Sequence, residues 1–299
     1  MDLIINARAK INLSLEVVGV REDGYHNIRT VMQTVYLHDQ LAIKRISHST
    51  LKLVCNKPYL PVDEHNLVNK AARYMLEAYD LPKGLFISLK KNIPISAGLA
   101  GGSSDCAAVI QGINRLYGLR MTNKELIDIG LKFGADVPFC ILGGTALAEG
   151  KGEILTPITH HPPVSVVIAK PPMSISTATV FKAYDSKNHY ERNNTDFIIS
   201  NIMKKDVHGI ASGFYNALED VSIDLCPDIM KLKGLYMELG AAGALMSGSG
   251  PSVFAYFNER EHAWRAMKKV NLAMPHIKQF ITGTFNDSKQ SFQGERYEV

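Results

Sequence analysis

The sequence predicts an α+β fold, and three features of the chain support that prediction. Strand-like stretches, with alternating apolar residues, and helix-like stretches, with apolar residues every three or four positions, occur in both halves. They do not follow the strict strand–helix–strand alternation of a parallel sheet. Hydrophobic residues make up 46% and charged residues 21% of the 299 residues, a composition that can fill a core and argues against disorder.

The first part of the chain alternates with a period of two. Apolar residues at every second position from Ala7 to Val17 predict a half-buried strand, with Lys10 and Asn12 on its polar face. Residues 21–24, Arg-Glu-Asp-Gly, predict a turn. Further apolar-rich stretches predict strands near residues 28–46, 51–55 and 85–89.

Three helices are predicted between these strands and the middle of the chain. Residues 66–79 carry apolar side chains at helical spacing. A second helix is expected to begin at Ser103 or Ser104, directly after a cluster of glycines. A third is expected to begin at Thr122, because Thr122 and Glu125 have the spacing of a capping box.

A polar, proline-rich stretch at residues 159–163 is the expected domain boundary. The pair His160 and His161 lacks partners at metal-ligand spacing and is interpreted as part of this linker. The predicted units are an N-terminal domain of residues 1–160, a C-terminal domain of residues 161–287 and a polar tail of residues 288–299. The C-terminal domain is expected to contain a strand at 164–170, a mobile polar loop at 186–195, a helix from Pro227 with Ile229, Met230, Leu232, Leu235, Tyr236 and Leu239 inward, a strand at 252–257, a helix at 259–270 and a strand at 277–285.

Charge and cysteine usage exclude several classes of protein. The 33 basic and 29 acidic residues leave a net charge of +4, too small to indicate a nucleic-acid partner. The four cysteines are widely spaced, so neither a disulfide framework nor a zinc site is expected, and no metal-ligating residues are predicted. Neither a signal peptide nor an apolar run long enough to span a bilayer is recognised. We expect a cytoplasmic protein, monomeric or homodimeric, without a membrane partner.

A glycine- and serine-rich segment between a predicted strand and an apolar helix is the first candidate site. Glycine lets the backbone approach a phosphate closely, and a helix N-terminus adds free N–H donors and a partial positive charge. The alternative is a flexible turn that ends in an ordinary serine N-cap. The segment is neither a Walker loop, which requires Gly-Lys-Ser/Thr, nor a Gly-x-Gly-x-x-Gly dinucleotide motif. Its residues are Pro94, Ile95, Ser96, Ala97, Gly98, Leu99, Ala100, Gly101, Gly102, Ser103 and Ser104.

Other polar and aromatic residues are candidates only in combination. Alone, Lys10 is a typical solvated lysine, and Asp136, in Gly-Ala-Asp-Val-Pro-Phe, is a typical turn or cap aspartate. Tyr25 and His26 follow a turn and alone indicate an ordinary loop. A second glycine-rich segment, residues 243–252, is interpreted as a tight turn before a strand.

Together and in this order, these segments resemble those of the GHMP kinase superfamily, which includes galactokinase, homoserine kinase and mevalonate kinase. The resemblance covers most of the chain and is tighter before residue 170 than after it. Asp-Gly-Tyr-His combined with Gly-Ala-Asp-Val-Pro-Phe is specific, and is similar to the branch that phosphorylates a cytidine-diphosphate-linked methylerythritol. One departure is Cys106, where alanine is usual. The matching segments are residues 9–13, 23–26, 98–105, 134–139, 149–153 and 247–252.

The resemblance implies both a fold and a reaction. The N-terminal half would be a GHMP kinase domain similar to the second domain of ribosomal protein S five. The C-terminal half would be ferredoxin-like, with the active site in the cleft between the two. ATP, accompanied by Mg²⁺ with few protein ligands, would phosphorylate the hydroxyl at carbon two of the erythritol part, in the non-mevalonate route to isoprenoids.

The same resemblance implies roles for the candidate catalytic residues. The segment at residues 94–104 would cradle the phosphates of ATP. Asp136 would be the general base, and Lys10 would stabilise the developing negative charge. Asn12 would orient the acceptor.

For the substrate, the resemblance implies a site that grips the cytidine. Tyr25 would stack on the base, His26 would hydrogen-bond its edge, and Phe181 would close its other face. Two alternatives remain at this point. One is a GHMP kinase that acts on another small alcohol, such as homoserine or mevalonate, and the other is a non-catalytic binding protein on the same fold.

Overall fold

The computed structural model describes residues 3–159, 161–187 and 193–286, and these residues form two β-sheets with helices packed against them. The α+β class is therefore confirmed. The strands are β1 (Leu3–Asn12), β2 (Ser14–Val20), β3 (His26–Arg45), β4 (Leu51–Cys55), β5 (Leu85–Lys90), β6 (Thr145–Glu149), β7 (Ile154–Ile158), β8 (Ser165–Lys170), β9 (Tyr215–Asn216), β10 (Gly243–Met246), β11 (Val253–Phe257) and β12 (Lys278–Gly283). The helices are α1 (Leu67–Ala78), α2 (Gly101–Tyr117), α3 (Asn123–Leu131), α4 (Asp136–Leu142), α5 (Thr177–Asp185), α6 (Thr195–Lys204), α7 (Val207–Ser212), α8 (Glu219–Leu225), α9 (Asp228–Glu238) and α10 (Arg260–Ala273).

The first sheet is organised around β3, which is 20 residues long. The beginning of β3 pairs with β2 and β6, and the remainder pairs with β1 and β5. Strand β4 extends the sheet beyond β5, β7 extends it beyond β6, and the short β9 adds to β2 in parallel. Because β3 is shared by these strands, the residues near its start and those on β1 belong to one continuous surface.

The predicted strand from Ala7 to Val17 is divided in the structure. Strand β1 ends at Asn12, and β2 begins at Ser14 after a bend at Leu13. The pairing of β1 with β3 shifts its register between Arg8 and Lys10. The strand is also buried on both faces near this bend, so the prediction of a solvated polar face is wrong there.

The second sheet has the antiparallel order β10-β11-β8-β12. On one face Val167 and Ala169 pack with residues of α9 and α10, and on the other Val166 and Ile168 pack toward the first sheet. Burial on both faces explains the unbroken apolar run in β8. A four-stranded antiparallel sheet covered by helices agrees with the ferredoxin-like half that the resemblance implies.

The core between the sheets draws on both halves of the chain. Ile11, Val31 and Leu99 come from the first half, and Ile168 and Phe254 come from the second. A separate core lies between the first sheet and helices α1 to α4. The domain boundary after residue 160 stays a prediction.

Several sequence-based expectations need correction. Helix α2 begins at Gly101, two or three residues before the expected start at Ser103 or Ser104, because the left-handed residue that precedes the helix is Ala100 and not a serine. Met230 is 61% exposed instead of facing inward, since α9 turns Ile229, Leu232 and Tyr236 to the core.

The stretch expected to be a linker, residues 159–163, includes a buried residue. His161 is buried against Tyr256, whereas His160 lies outside the described residues. The predicted loop at residues 186–195 ends where α6 begins at Thr195, and residues 188–192 lie outside the described part. The helix at residues 66–79 and the capping box of Thr122 and Glu125 are confirmed. Within the described residues, no helix combines the length and apolarity needed to cross a bilayer.

Candidate active site

Lys10 and Asn12 lie two residues apart at the end of β1 and therefore project to the same side of the strand. The Lys10 ammonium donates a hydrogen bond to Asn12 Oδ1 at 2.7 Å, and both side chains are buried. Lys10 Nζ also lies 3.9 Å from Asp136 Oδ2. Asp136 is the first residue of α4, and its side chain is 37% exposed. A buried ammonium thus faces a carboxylate that solvent or a ligand can reach.

Asn12 is held by partners that are distant in sequence. Its Nδ2 donates to Thr30 Oγ1 on β3 at 2.9 Å. Its backbone N–H donates to Ser247 Oγ at 3.3 Å. With Lys10 on Oδ1, the Asn12 side chain is fixed in one orientation, because an amide that uses both ends cannot rotate freely.

The glycine- and serine-rich segment leads directly into the N-terminus of α2. Ala100 is the N-cap residue, at φ 55°, and no side chain caps the helix. The Ser104 hydroxyl instead donates to the carbonyl oxygen of Arg8 at 2.6 Å, which ties the first turn of α2 to β1. The first N–H groups of a long helix without a side-chain cap are donors for an anion. The serine N-cap considered as the alternative is not formed.

The two glycine-rich segments pack against each other. Gly98 has φ +72°, and a Cβ at this position would overlap the carbonyl oxygen of Ser247. The Ser247 hydroxyl donates to the carbonyl oxygen of Gly98 at 3.0 Å while accepting from Asn12. Residues 243–252 are therefore more than a tight turn before a strand, because Ser247 joins the candidate phosphate loop to the strand that carries Lys10.

A buried ionic cluster lies behind the same loop. The Lys91 ammonium bridges the carboxylates of Asp39 on β3 and Asp105 on α2, with a distance of 2.6 Å to Asp105. Burial raises the pKa of Asp105 well above its usual range, since Lys91 is shared with a second carboxylate. Burial opposes the charge on Lys91, but Asp105 and Asp39 outweigh it and raise the lysine's pKa. The cluster fixes the start of α2 to β3 and to the residue that follows β5.

The residues expected to bind cytidine lie near the start of β3. The ring of Tyr25 is 62% exposed, and the Lys151 ammonium lies 4.3 Å from its centroid. His26 is buried, and Phe181 of α5 stacks on its ring at a centroid separation of 4.6 Å. Phe181 thus contacts His26 itself in this structure.

Strand β3 connects the two groups of candidate residues. His26 and Thr30 are four residues apart on this strand and therefore lie on the same face. At the rise of an extended chain the separation is about 13 Å. Because Thr30 contacts Asn12, the catalytic and cytidine candidates lie along one path.

Some residues that build the site were not identified from the sequence. Thr30, Asp39 and Lys91 sit within strands or at their ends, where nothing local distinguishes them from solvated residues. The sequence also gives no indication of Asp185, which contacts His26. Of these residues, Ser247 is the one that the sequence indicates, because it begins one of the segments that resemble the superfamily.

Comparison with known proteins gives the family. The chain matches the model of the GHMP kinases N terminal domain over residues 66–144 and that of the GHMP kinases C terminal domain over residues 198–276. It is 44% identical over 280 residues to a 4-diphosphocytidyl-2-C-methyl-D-erythritol kinase of Clostridium botulinum, which covers 94% of this chain and 99% of the relative. The chain belongs to the 4-diphosphocytidyl-2-C-methyl-D-erythritol kinase family.

Other matches agree with membership of the 4-diphosphocytidyl-2-C-methyl-D-erythritol kinase family. A kinase of that name from Lachnoclostridium phytofermentans is 41% identical, over 97% of this chain and 99% of the relative. A crystal structure of 4-(cytidine 5'-diphospho)-2C-methyl-D-erythritol kinase superposes with a TM-score of 0.81 at 32% identity, covering 95% of this chain and all of that one. A homoserine kinase from Cytophaga hutchinsonii, at 21% identity and a TM-score of 0.76 over 95% of each chain, shares the fold.

Proposed function

We propose that the protein transfers the γ-phosphoryl group of ATP to the hydroxyl at carbon two of 4-diphosphocytidyl-2-C-methyl-D-erythritol, as a cytoplasmic enzyme of the non-mevalonate isoprenoid route. The observation that carries this proposal is the link made by Ser247, which hydrogen-bonds both Gly98 of the phosphate loop and Asn12 beside Lys10. A nucleotide on the loop and an acceptor at Asn12 would therefore be held by one connected framework.

In the proposed reaction, Asp136 and Lys10 act on the acceptor hydroxyl. The Asp136 carboxylate takes the hydroxyl proton while the hydroxyl oxygen attacks the γ-phosphorus. The bond from the γ-phosphorus to the bridging oxygen breaks, and ADP leaves. The Lys10 ammonium, 3.9 Å from the Asp136 carboxylate, stabilises the negative charge that develops on the attacking oxygen. Asn12, whose side chain is held by Lys10 and Thr30, orients the acceptor.

The nucleotide is proposed to bind at residues 94–104. The uncapped N-terminus of α2 fits a polyphosphate, because its first N–H groups are donors without a side-chain acceptor. The Ser104 hydroxyl donates to the carbonyl oxygen of Arg8, so of the two serines at the start of α2 the partly buried Ser103 would be the one that could offer a hydroxyl oxygen to Mg²⁺ carried mainly by the nucleotide. When bound with ATP, the ion would neutralise phosphate charge. Among the described residues, the one group of side chains close enough together to hold a metal ion is Asp63, Glu64 and His65, all of which are exposed. They lie outside the proposed nucleotide site at residues 94–104.

The cytidine is proposed to bind near the start of β3. Tyr25 offers an exposed ring for stacking, and His26 offers a ring nitrogen to the edge of the base. Phe181, which stacks on His26, is proposed to close the other face of the base.

The direct test is ATP consumption by the purified protein with 4-diphosphocytidyl-2-C-methyl-D-erythritol. Cytidine diphosphate serves as the control, because it carries the base and phosphates but lacks the acceptor alcohol. We expect one ADP for each phosphorylated product and no turnover above background with cytidine diphosphate.

Homoserine and mevalonate are the competing acceptors, because relatives that phosphorylate them share the fold. Turnover of either alcohol without turnover of the cytidyl substrate would make the substrate proposal wrong and leave the kinase assignment standing. ATP binding without turnover of any of the three would favour a non-catalytic binding protein.

A further inference from the structure

Resting on the proposed function, we propose that Asp185 is a positioning residue that fixes the tautomer of His26 and thereby makes the base pocket select cytosine over uracil. Asp185 is the last residue of α5 and contacts no candidate phosphate-binding residue among its described contacts. Its influence on the substrate is expected to pass through the His26 ring.

Helix α5 holds that ring from three directions. Phe181 stacks on its face at 4.6 Å, with 23° between the planes. Tyr184 meets it edge-on at 6.4 Å and 88°. Asp185 Oδ1 lies 2.7 Å from His26 Nε2. Positions i, i+3 and i+4 of a helix share one face, so a single helical surface sets both the plane and the rotation of the imidazole.

The chemistry of this contact determines which nitrogen carries the proton. An ionised carboxylate only accepts hydrogen bonds, so Nε2 of His26 must be the N–H. In the neutral imidazole, Nδ1 is then an acceptor. No hydrogen bond to Nδ1 is found among the described residues, which leaves its lone pair for the proposed base. The partner of one ring nitrogen thus decides whether the other nitrogen pairs with a donor or with an acceptor.

An acceptor at Nδ1 distinguishes the two pyrimidines. The exocyclic amine of cytosine is a donor and pairs with Nδ1, whereas uracil has a carbonyl oxygen at the same position and would face it lone pair to lone pair. The His26 side chain is only 5% exposed, so water cannot readily compensate for the mismatch. Sites that bury a hydrogen-bonding group reject the analogue that leaves the group unpaired.

Nitrogen-15 NMR of the His26 ring in the ligand-free protein tests the first half of the inference. We expect the neutral wild-type ring to carry its proton on Nε2. Asp185→Asn should change the tautomer mixture, since an amide can donate to Nε2 as well as accept from it. Asp224→Asn, which removes another exposed carboxylate of the same region, the partner of Lys187, should leave the ring signals unchanged. A proton on Nδ1 in the wild type would overturn the inference.

Calorimetric titration with cytidine diphosphate and uridine diphosphate tests the second half. We expect the wild type and Asp224→Asn to prefer cytidine diphosphate, and Asp185→Asn to lose about tenfold of that preference. If Asp185→Asn keeps the full preference, the inference is wrong while the proposed function stands. If the wild type turns over no cytidyl substrate, the proposed function fails, and the tautomer measurement still decides the role of Asp185.

Discussion

Among single residues, Asp136 carries the most direct prediction for catalysis. Asp136→Asn keeps the size of the side chain but cannot accept the hydroxyl proton, so kcat should fall by about a hundredfold or more. ATP affinity should remain near that of the wild type, because the proposed nucleotide site is the loop before α2. Turnover and ATP binding measured on the same preparation separate the two effects. Asp128→Asn, an exposed carboxylate on α3, is the matched control.

Near-normal turnover of Asp136→Asn would remove Asp136 as the general base. A loss of ATP binding in the same variant would instead mean that Asp136 contributes to the nucleotide site.

The buried His161 is expected to make the free energy of unfolding depend on pH. Burial lowers the pKa of His161 from 6.5 to about 4. The unfolded chain therefore binds a proton that the folded chain rejects between these values, and the free energy of unfolding falls as pH falls through that window. One proton over this range contributes about 3 kcal/mol.

His161→Gln isolates this contribution from that of the carboxylates. Urea unfolding of both proteins across the window should give curves that diverge, with the wild type losing more stability toward low pH. Parallel curves would show that His161 is protonated at no cost in the folded state. Burial is what keeps the ring neutral, because the hydrogen bond from Nδ1 to the carbonyl oxygen of Pro162, at 2.7 Å, by itself raises the pKa. In the neutral ring, Nε2 accepts from the Tyr256 hydroxyl at 3.3 Å.

At the scale of elements, the contact between the two glycine-rich segments is sensitive to a single methyl group. Gly98→Ala introduces a Cβ that overlaps the Ser247 carbonyl and a side chain at φ +72°. We expect a loss of about 2 kcal/mol or more in the free energy of unfolding and weaker ATP binding. Thermal unfolding and nucleotide titration measure the two effects.

Gly102→Ala is the matched control in the same loop. Its Cβ would meet only Leu67 Cδ1 at 3.9 Å, and alanine is favoured over glycine inside a helix. We expect stability to be unchanged or slightly higher. Equal losses in the two variants would mean that the contact between the segments does not constrain the loop.

At the scale of the whole molecule, the core shared by the two sheets predicts cooperative unfolding. Phe254 is fully buried between them, so Phe254→Ala should lower the free energy of unfolding by about 3–5 kcal/mol. Because the two sheets share this core, we expect them to unfold together. Two signals should therefore change at the same urea concentration: far-UV circular dichroism and the fluorescence of the single tryptophan, Trp264 on α10.

Leu272→Ala, at a position on α10 that is 84% exposed, should leave the transition where it is. Two separated transitions in the wild type would indicate that the halves unfold independently. The predicted boundary after residue 160 would then mark two units that fold on their own.

Local patterns in the sequence determined much of the architecture. The period-two alternation of β1, the helical spacing of α1 and the capping box of α3 depend on residues at most a few positions apart. Such signals are readable because backbone geometry repeats over the same short distances. The glycine-rich segments are visible from their composition, whereas the role of Asp136 follows only from the resemblance to the superfamily.

Tertiary structure alone decided which polar residues are buried and what they contact. Lys10 looked like a solvated lysine, yet it is enclosed beside Asn12 and faces Asp136. Ser247 reaches Asn12 across 235 positions of sequence, and Lys91 gathers two carboxylates from separate elements. These contacts depend on how sheets and helices pack, and packing joins residues whose separation in the chain carries no periodic signal.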